Sequence, residues 1–528
     1  MVRFEKPSYE KTLNFGARLR SYGLALSLAA LSLVAFASAP ISASHASQHT
    51  IEGPRLQQSA VMGTANTAEQ FDGQKLYQAA FDAVLKYHKD LADATARQKF
   101  TDEWQHKFDK TGDLNSEEGT DKAILQMLQS RGQRFDYFMD RNATRAEKSE
   151  EASTLTGIGT SLKLRNVKDL LKSIPKEGIT REEFDKLLKI STGHELLVDT
   201  PMEGGPSANV LLPGDRIVKV NGAKVDGMLL KDVIAKVKGD AGTTVDITVE
   251  RTDAKGATTQ QTFKITRAVV KLKVVHTKDL GDGIAYIKVD NFMSQTVTEE
   301  FGKALVDASA GKGLIIDLRG NPGGALNSVL TMAAYLLPEG TILVTEARDG
   351  DNLSQHEIIA GTHFITHIDP GADPKQPEIT ASGRPPLLIP PTMPIVVLVN
   401  NGSASASEIL SGVLQHHKRA TIIGKPTHGK GVGQTVVNLP FERRLHVTNF
   451  EFLPGGERMD WIGIIPNIDV DQSTADDDSD NQLDAATKQI KIQIGEGEAR
   501  DKEAGTLKQK NHDDFQKTLD KRNNPAKP

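Results

Sequence analysis

The chain has 528 residues, 38% of them apolar, a formal net charge of −5 and no cysteine. That length admits about three domains of ~150 residues, and the weakly acidic balance offers no basic stripe for nucleic acid. Without cysteine there are no disulfides, no thiolate chemistry, no cysteine zinc site and no cysteine-linked lipid anchor.

Residues 1–46 read as a secretory signal peptide. Arg3, Lys6, Lys11, Arg18 and Arg20 precede the apolar run Leu24–Ala37, and the small residues "SAPISASHAS" follow. The run is shorter than the ~20 residues a spanning helix needs, so membrane attachment is expected only through an uncleaved signal sequence. Cleavage is expected after Ala46, because Pro40 disfavours a cut after Ala39. A secreted chain without cysteine fits a bacterial periplasm.

Residues 47–154 combine a flexible polar segment with a helical module. In "LYQAAFDAVLKYHKDL", Leu76, Ala79, Phe81, Val84 and Leu85 fall near one stripe at helical spacing. "KAILQMLQSRGQRFDYFM" repeats the pattern with Ile124, Met127, Leu128, Phe135 and Phe138, whose aromatic rings are assigned to a core.

From residue 155 to 267 the texture becomes β-rich. "TGIG" (156–159) is a turn opening a strand, "GGPSANVLLPGDRIVKVNG" reads as turn, short helix, turn and strand, and "LLKDVIAKVKG" is a helix ending at Gly239. "TVDITVER" and "QTFKITR" alternate as strands. Residues 165–193 form two helical stretches inserted into this region, the second capped by Thr180 and Glu183.

Residues 268–470 alternate apolar strands ("GIAYIKV", "GLIIDL", "IVVLVN", "ATIIG") with helical stretches, the pattern of a buried sheet with crossover helices. The connection 348–393, rich in glycine and proline, is expected to be a lid, a binding loop or a disordered stretch. The charged tail 471–528 holds one segment, "NQLDAATKQIKIQI", able to form a last packed helix; the rest is expected to be disordered. The fold class expected is therefore mixed α+β and α/β, in several domains.

Two loops carry the candidate chemistry. In "GSASASEI" (402–409) a serine stands where a buried strand turns into a helix, beside the unpaired N–H groups of a helix start that can hold an oxyanion. Ser405 and Glu408 also make a capping box, and on this stretch alone a plain cap is the simpler reading. "KPTHGKGVGQ" (425–434) follows the next strand, and in a β-α-β unit both strand ends meet at one sheet edge. Lys430 sits between glycines; burial would lower its pKa until it can take a proton from serine, and Gln434 could orient it. His428 stays open as an alternative base. His416 and His417 fit the helix C-terminus, and no matching ligand set points to a metal. "DLRGNPGG" (317–324) lacks dinucleotide-fingerprint spacing and suits close approach of a bound backbone or an oxyanion. No pattern calls for a cofactor.

Taken together, "GSASASEI", "THGKGVGQ" and "DLRGNPGG" resemble the carboxyl-terminal processing peptidases, or tail-specific proteases, with "QRFDYFM", the PDZ-like "GGPSANVLLPGDRIVKVNG" and "WIGIIPNIDV" extending the likeness from about Leu76 to Asp469. The resemblance implies a crotonase- or Clp-protease-like core, Ser405 as nucleophile, Lys430 as general base, Gln434 as its support, and an oxyanion hole from the N–H groups of Ala406 and Gly324. It also implies a PDZ-like domain that holds substrate C-termini, with Gly157, Ile158 and Gly159 binding the carboxylate and the helix bearing Leu229, Val233, Ile234 and Val237 forming the other wall. Unfolded or tail-exposed proteins would be its substrates and an adaptor a possible regulator. An inert PDZ scaffold and an acyl-CoA hydratase-like enzyme are the competing readings. The intact Ser405, Lys430 and Gln434 set weighs against the first and the secreted PDZ module against the second.

Overall fold

The computed structural model describes residues 45–46, 70–165, 186–473 and 479–502, apart from 192, 203, 254, 350–351, 362–363, 370–377, 384 and 501. The expected signal peptide apart from residues 45–46, most of the 165–193 insertion and the end of the tail lie outside the described residues. No helix among those described is long and apolar enough to cross a membrane.

Two compact units divide the chain. The smaller, residues 156–270, is built on an antiparallel sheet ordered Thr160–Leu164, Leu196–Pro201, Arg216–Val220, Thr244–Thr252, Thr258–Thr266. Val245, Ile247 and Val249 alternate along one strand, and meet Leu230, Val233, Ile234 and Val237 from the helix Leu230–Val237 in a single apolar cluster. The period-two pattern of the strand and the i, i+3, i+4, i+7 pattern of the helix place both apolar faces inward. The short helix expected in "GGPSANVLL" is instead a run of turns, held by Ala208 N–H to Gly205 O and Val210 N–H to Ser207 O.

The larger unit holds the candidate site. Its main sheet runs Val275–Asp279, Ile284–Val289, Gly313–Asp317, Ile395–Val399, Thr421–Gly424, Ile468–Asp469. All neighbours after the first pair are parallel. Gly313–Asp317 and Ile395–Val399 are buried at every position, as central strands covered on both faces must be. Helices Val297–Ala308, Leu326–Leu336 and Ala406–His416 cover one face. The helix over 481–500 covers the other through Ala486 and Ile490, which pack on Ile315, Val396 and Leu398. The 471–528 segment is therefore not only a tail. Arg319, paired with Asp317 at 2.6 Å and Asp480 at 2.7 Å, fastens this helix to the Gly-rich loop.

The 348–393 connection is not a structureless loop. Gly340–Asp349, Asn352–Ala360, Phe364–Asp369 and Glu378–Gly383 form an antiparallel meander that continues through Arg443–Pro454.

Nor do the N-terminal helices Gly73–Tyr87, Ala94–Trp104 and Glu117–Gln129 stand apart, for their core includes Leu439, Leu445 and Val447. The second helical pattern ends early, at Gln129. Gly132 takes φ +66°, and Tyr137–Met139 joins Arg443–Pro454 as a strand, so Phe135 and Phe138 are not helical.

Candidate active site

Ser405 stands at the end of the turn that follows Ile395–Val399, at the first residue before the helix Ala406–His416. Its φ of +54° and ψ of −114° lie outside the extended backbone usual at a helix N-cap. A non-glycine residue held there is strained, and such strain concentrates at functional positions. The serines on either side are occupied. Ser403 Oγ donates to Leu318 O at 2.7 Å and Ser407 Oγ to Asn321 O at 2.9 Å. Together they tie the 402–407 turn to the 317–324 loop, which accounts for the outer two of the three alternating serines.

That loop approaches Ser405 closely. A Cβ on Gly323 would come within 2.8 Å of Ser405 Cβ and 2.9 Å of Ala406 N. The N–H of Gly323 donates to Asn321 Oδ1 at 2.9 Å and its carbonyl accepts from Phe292 N–H at 2.8 Å. Ala325 N–H in turn bonds Phe292 O at 3.1 Å. Gly324 pairs with Phe292 on one side, and the short strand Gly323–Gly324 pairs in parallel with His45–Ala46 on the other. Ala406 N–H has no hydrogen-bond partner among the described residues, as expected for the first donor of a helix.

Lys430 follows the adjacent parallel strand Thr421–Gly424. It is completely buried, Nζ donates to Gln434 Oε1 at 3.0 Å, and no carboxylate among the described residues lies within salt-bridge distance of Nζ. Burial holds its pKa well below the ordinary lysine value. Arg134 reinforces this, while Glu408 and Asp136 oppose it. Gln434 is itself fixed by donating Nε2–H to Phe135 O, and the Phe135 ring lies 5.1 Å from Lys430 Nζ.

Glu408 links the two loops. Its Oε2 accepts from the backbone N–H of Ser405 at 2.7 Å and of Lys430 at 3.0 Å. Its Oε1 accepts from Thr427 Oγ1 at 2.6 Å and Gly429 N–H at 2.7 Å. Burial raises its pKa to about 7 against these four donors. The sequence signalled Glu408 only as the partner in a capping box; its reach to Gly429 and Lys430 needed the folded loops. Phe135 and Thr427 carried no signal of their role at all.

The histidines separate. Burial, with Arg134 and Lys430 nearby, lowers His428 to about 4, which makes it a weak base at neutral pH. His416 and His417 close the far end of an eleven-residue helix, roughly 16 Å from Ser405 at 1.5 Å per residue. Among the described residues no group of three His, Asp or Glu could hold a metal ion. A fully buried lysine whose pKa is held well below its ordinary value, tied through Glu408 to a strained serine that precedes the unpaired N–H of Ala406, is equipped for acyl transfer.

In the smaller unit, the carbonyls of Ile158 and Gly159 are both occupied. Ile158 O accepts from Ser207 N–H, and Gly159 O from Met202 N–H and Ser207 Oγ, each at 2.9 Å. The N–H groups of Ile158 and Gly159 have no partner among the described residues. Gly159 at φ +68° would drive a Cβ to 2.9 Å from Pro206. Ile158 shares an apolar cluster with Val233 and Ile234. Gly157 ends the preceding strand, and the next, Thr160–Leu164, pairs on one side only among the described residues.

The family description "Peptidase family S41" matches residues 283–470, and "PDZ domain" matches residues 197–251. A carboxy-terminal-processing protease of Bartonella bacilliformis is 31% identical over 331 residues, covering 61% of this chain and 67% of its own. The carboxy-terminal processing protease CtpA of Bacillus subtilis is 25% identical over 404 residues, 73% of this chain and 74% of its own. A solved photosystem II D1 C-terminal processing protease, 24% identical, covers 76% of this chain and 93% of its own with a TM-score of 0.40. The protein is thus a serine peptidase carrying a PDZ domain. The chain belongs to the carboxy-terminal-processing proteases of peptidase family S41.

Proposed function

We propose that the protein is a periplasmic endopeptidase that captures unfolded or tail-exposed substrates by their free C-termini and cleaves them with Ser405 and Lys430. The observation that carries this reading is the setting of Lys430: fully buried, without a carboxylate on Nζ, held by Gln434, and tied to Ser405 through one carboxylate. Ser405 Oγ attacks the scissile carbonyl carbon while neutral Lys430 takes its proton. The N–H groups of Ala406 and Gly324 receive the oxyanion. Lys430 then protonates the leaving amine as the C–N bond breaks, and a water deprotonated by Lys430 hydrolyses the ester and frees Ser405.

Recognition falls to the N–H groups of Gly157, Ile158 and Gly159, which would hold the terminal carboxylate. The substrate tail would extend the sheet beside Thr160–Leu164, its last side chain against Ile158 and Val233. The basic, then apolar, then small-residue sequence of residues 1–46 supports secretion. Wild-type and Ser405→Ala protein incubated with one unfolded substrate test the reading: cleavage only by the wild type is expected, and cleavage by both overturns it.

A further inference from the structure

Trp461 is 71% exposed, and so, at 62%, is Ile462, although the loop that carries them is firmly held. Met459 and Ile464, on either side, are anchored in the main core. The loop is also fastened to the turn that carries Lys430. Trp461 N–H bonds Gly429 O at 3.0 Å, Gly431 N–H bonds Asp460 Oδ1 at 2.8 Å, and Thr427 N–H bonds Ile464 O at 3.2 Å. Gly429, Gly431 and Gly463 permit this contact, since a Cβ on any of them would meet the opposite loop within 3.0 Å.

Trp461 adopts φ +66°, a left-handed conformation that is costly for a bulky side chain. Trp461 holds this conformation with its ring exposed and its N–H on the turn that carries Lys430. Arg134 lies 4.5 Å from the Trp461 ring and 4.3 Å from the Phe135 ring, and Phe135 continues the stack to 5.1 Å from Lys430 Nζ. This ladder steadies the indole without burying it.

We infer that Trp461, with Ile462, forms a specificity ledge that receives an apolar side chain of the substrate next to the bond being cut. The inference rests on the protease reading above. The occupant follows from position: the ledge is hydrogen-bonded to the base's own turn, so an extended peptide crossing Ser405 and Lys430 passes beside it. Its chemistry follows from surface: an exposed indole and isoleucine gain from covering by an apolar group, and Arg134 already supplies the indole with a cation.

The test compares the peptides released from one unfolded protein by the wild type, Trp461→Ala and Trp461→Phe, with kcat and KM for the main sites. Trp461→Ala should raise KM about tenfold at sites flanked by apolar residues, the scale of one lost apolar contact. Sites flanked by polar residues, kcat and the pH–rate profile should be unchanged, and Trp461→Phe should keep most of the preference. An unaltered cleavage map overturns the ledge. So does an equal loss at every site with a shifted pH profile, which would make Trp461 a prop for Lys430. An unaltered map with a changed molecular mass in solution also overturns it and identifies a subunit contact. A wild type that cuts nothing removes the protease reading, and the ledge with it.

Discussion

Glu408 Oε2 accepts hydrogen bonds from the backbone N–H of both Ser405 and Lys430, so one carboxylate sets the spacing of the two loops that carry them. Glu408→Gln keeps the shape but turns an amide NH₂ toward two N–H donors. Leaving buried donors unsatisfied costs about 1–3 kcal/mol, so kcat should fall roughly 10- to 100-fold with KM little changed. Because the Glu408 charge raises the Lys430 pKa, its removal should also move the rising limb of the pH–rate profile to lower pH. Steady-state kinetics across pH check both effects. In stability, native Glu408 binds its proton more tightly than the unfolded chain between the ordinary 4.5 and about 7. Its contribution therefore declines as pH rises through that window, and this decline should vanish in the variant.

Lys430→Arg should be inactive, losing about 10²–10⁴ in kcat/KM, because arginine does not deprotonate. In the wild type, activity should rise with pH as Lys430 loses its proton. Its native pKa lies below the unfolded 10.5, so between the two values the unfolded chain holds more protons and stability rises with pH. Rate profiles and urea titrations at several pH values measure these trends. Normal turnover by Lys430→Arg together with an inactive His428→Ala would make the histidine the base.

Gly323→Ala should lower kcat by about 100-fold, comparable to losing one oxyanion donor. The new methyl would meet Ser405 Cβ at 2.8 Å and Ala404 O at 2.7 Å, and φ of +100° suits only glycine. Kinetics with a melting curve distinguish a displaced loop from an unfolded protein.

Amidating the C-terminus of a peptide substrate should reduce kcat/KM about tenfold or more, since charge-assisted hydrogen bonds contribute about 1.5–3 kcal/mol. A charged last residue should act likewise, through the cost of burying it unpaired. Equal rates for free-acid and amidated forms would remove tail recognition and leave the Ser405 and Lys430 chemistry standing.

The β-α-β alternation was legible because apolar strands and amphipathic helices have distinct patterns, and the parallel pairing it implies puts the strand ends before Ser405 and Lys430 at one sheet edge. The roles of Ser403 and Ser407 were not, because a hydroxyl's partner can be a carbonyl about 85 residues away. Phe135 acts through its backbone oxygen, which any residue possesses, so its side chain gave no hint. The strands within 348–393 were hidden because a segment rich in glycine and proline reads as a loop in sequence, whereas its strands are defined by pairing with one another.

Reaction with a fluorophosphonate, which phosphonylates activated serines as fluoride leaves, tests the central claim most directly. Peptide mapping by mass spectrometry should find one adduct, on Ser405, absent from Ser405→Ala and strongly slowed in Lys430→Arg. Stoichiometric labelling that persists in Ser405→Ala, or maps to another residue, would contradict the account.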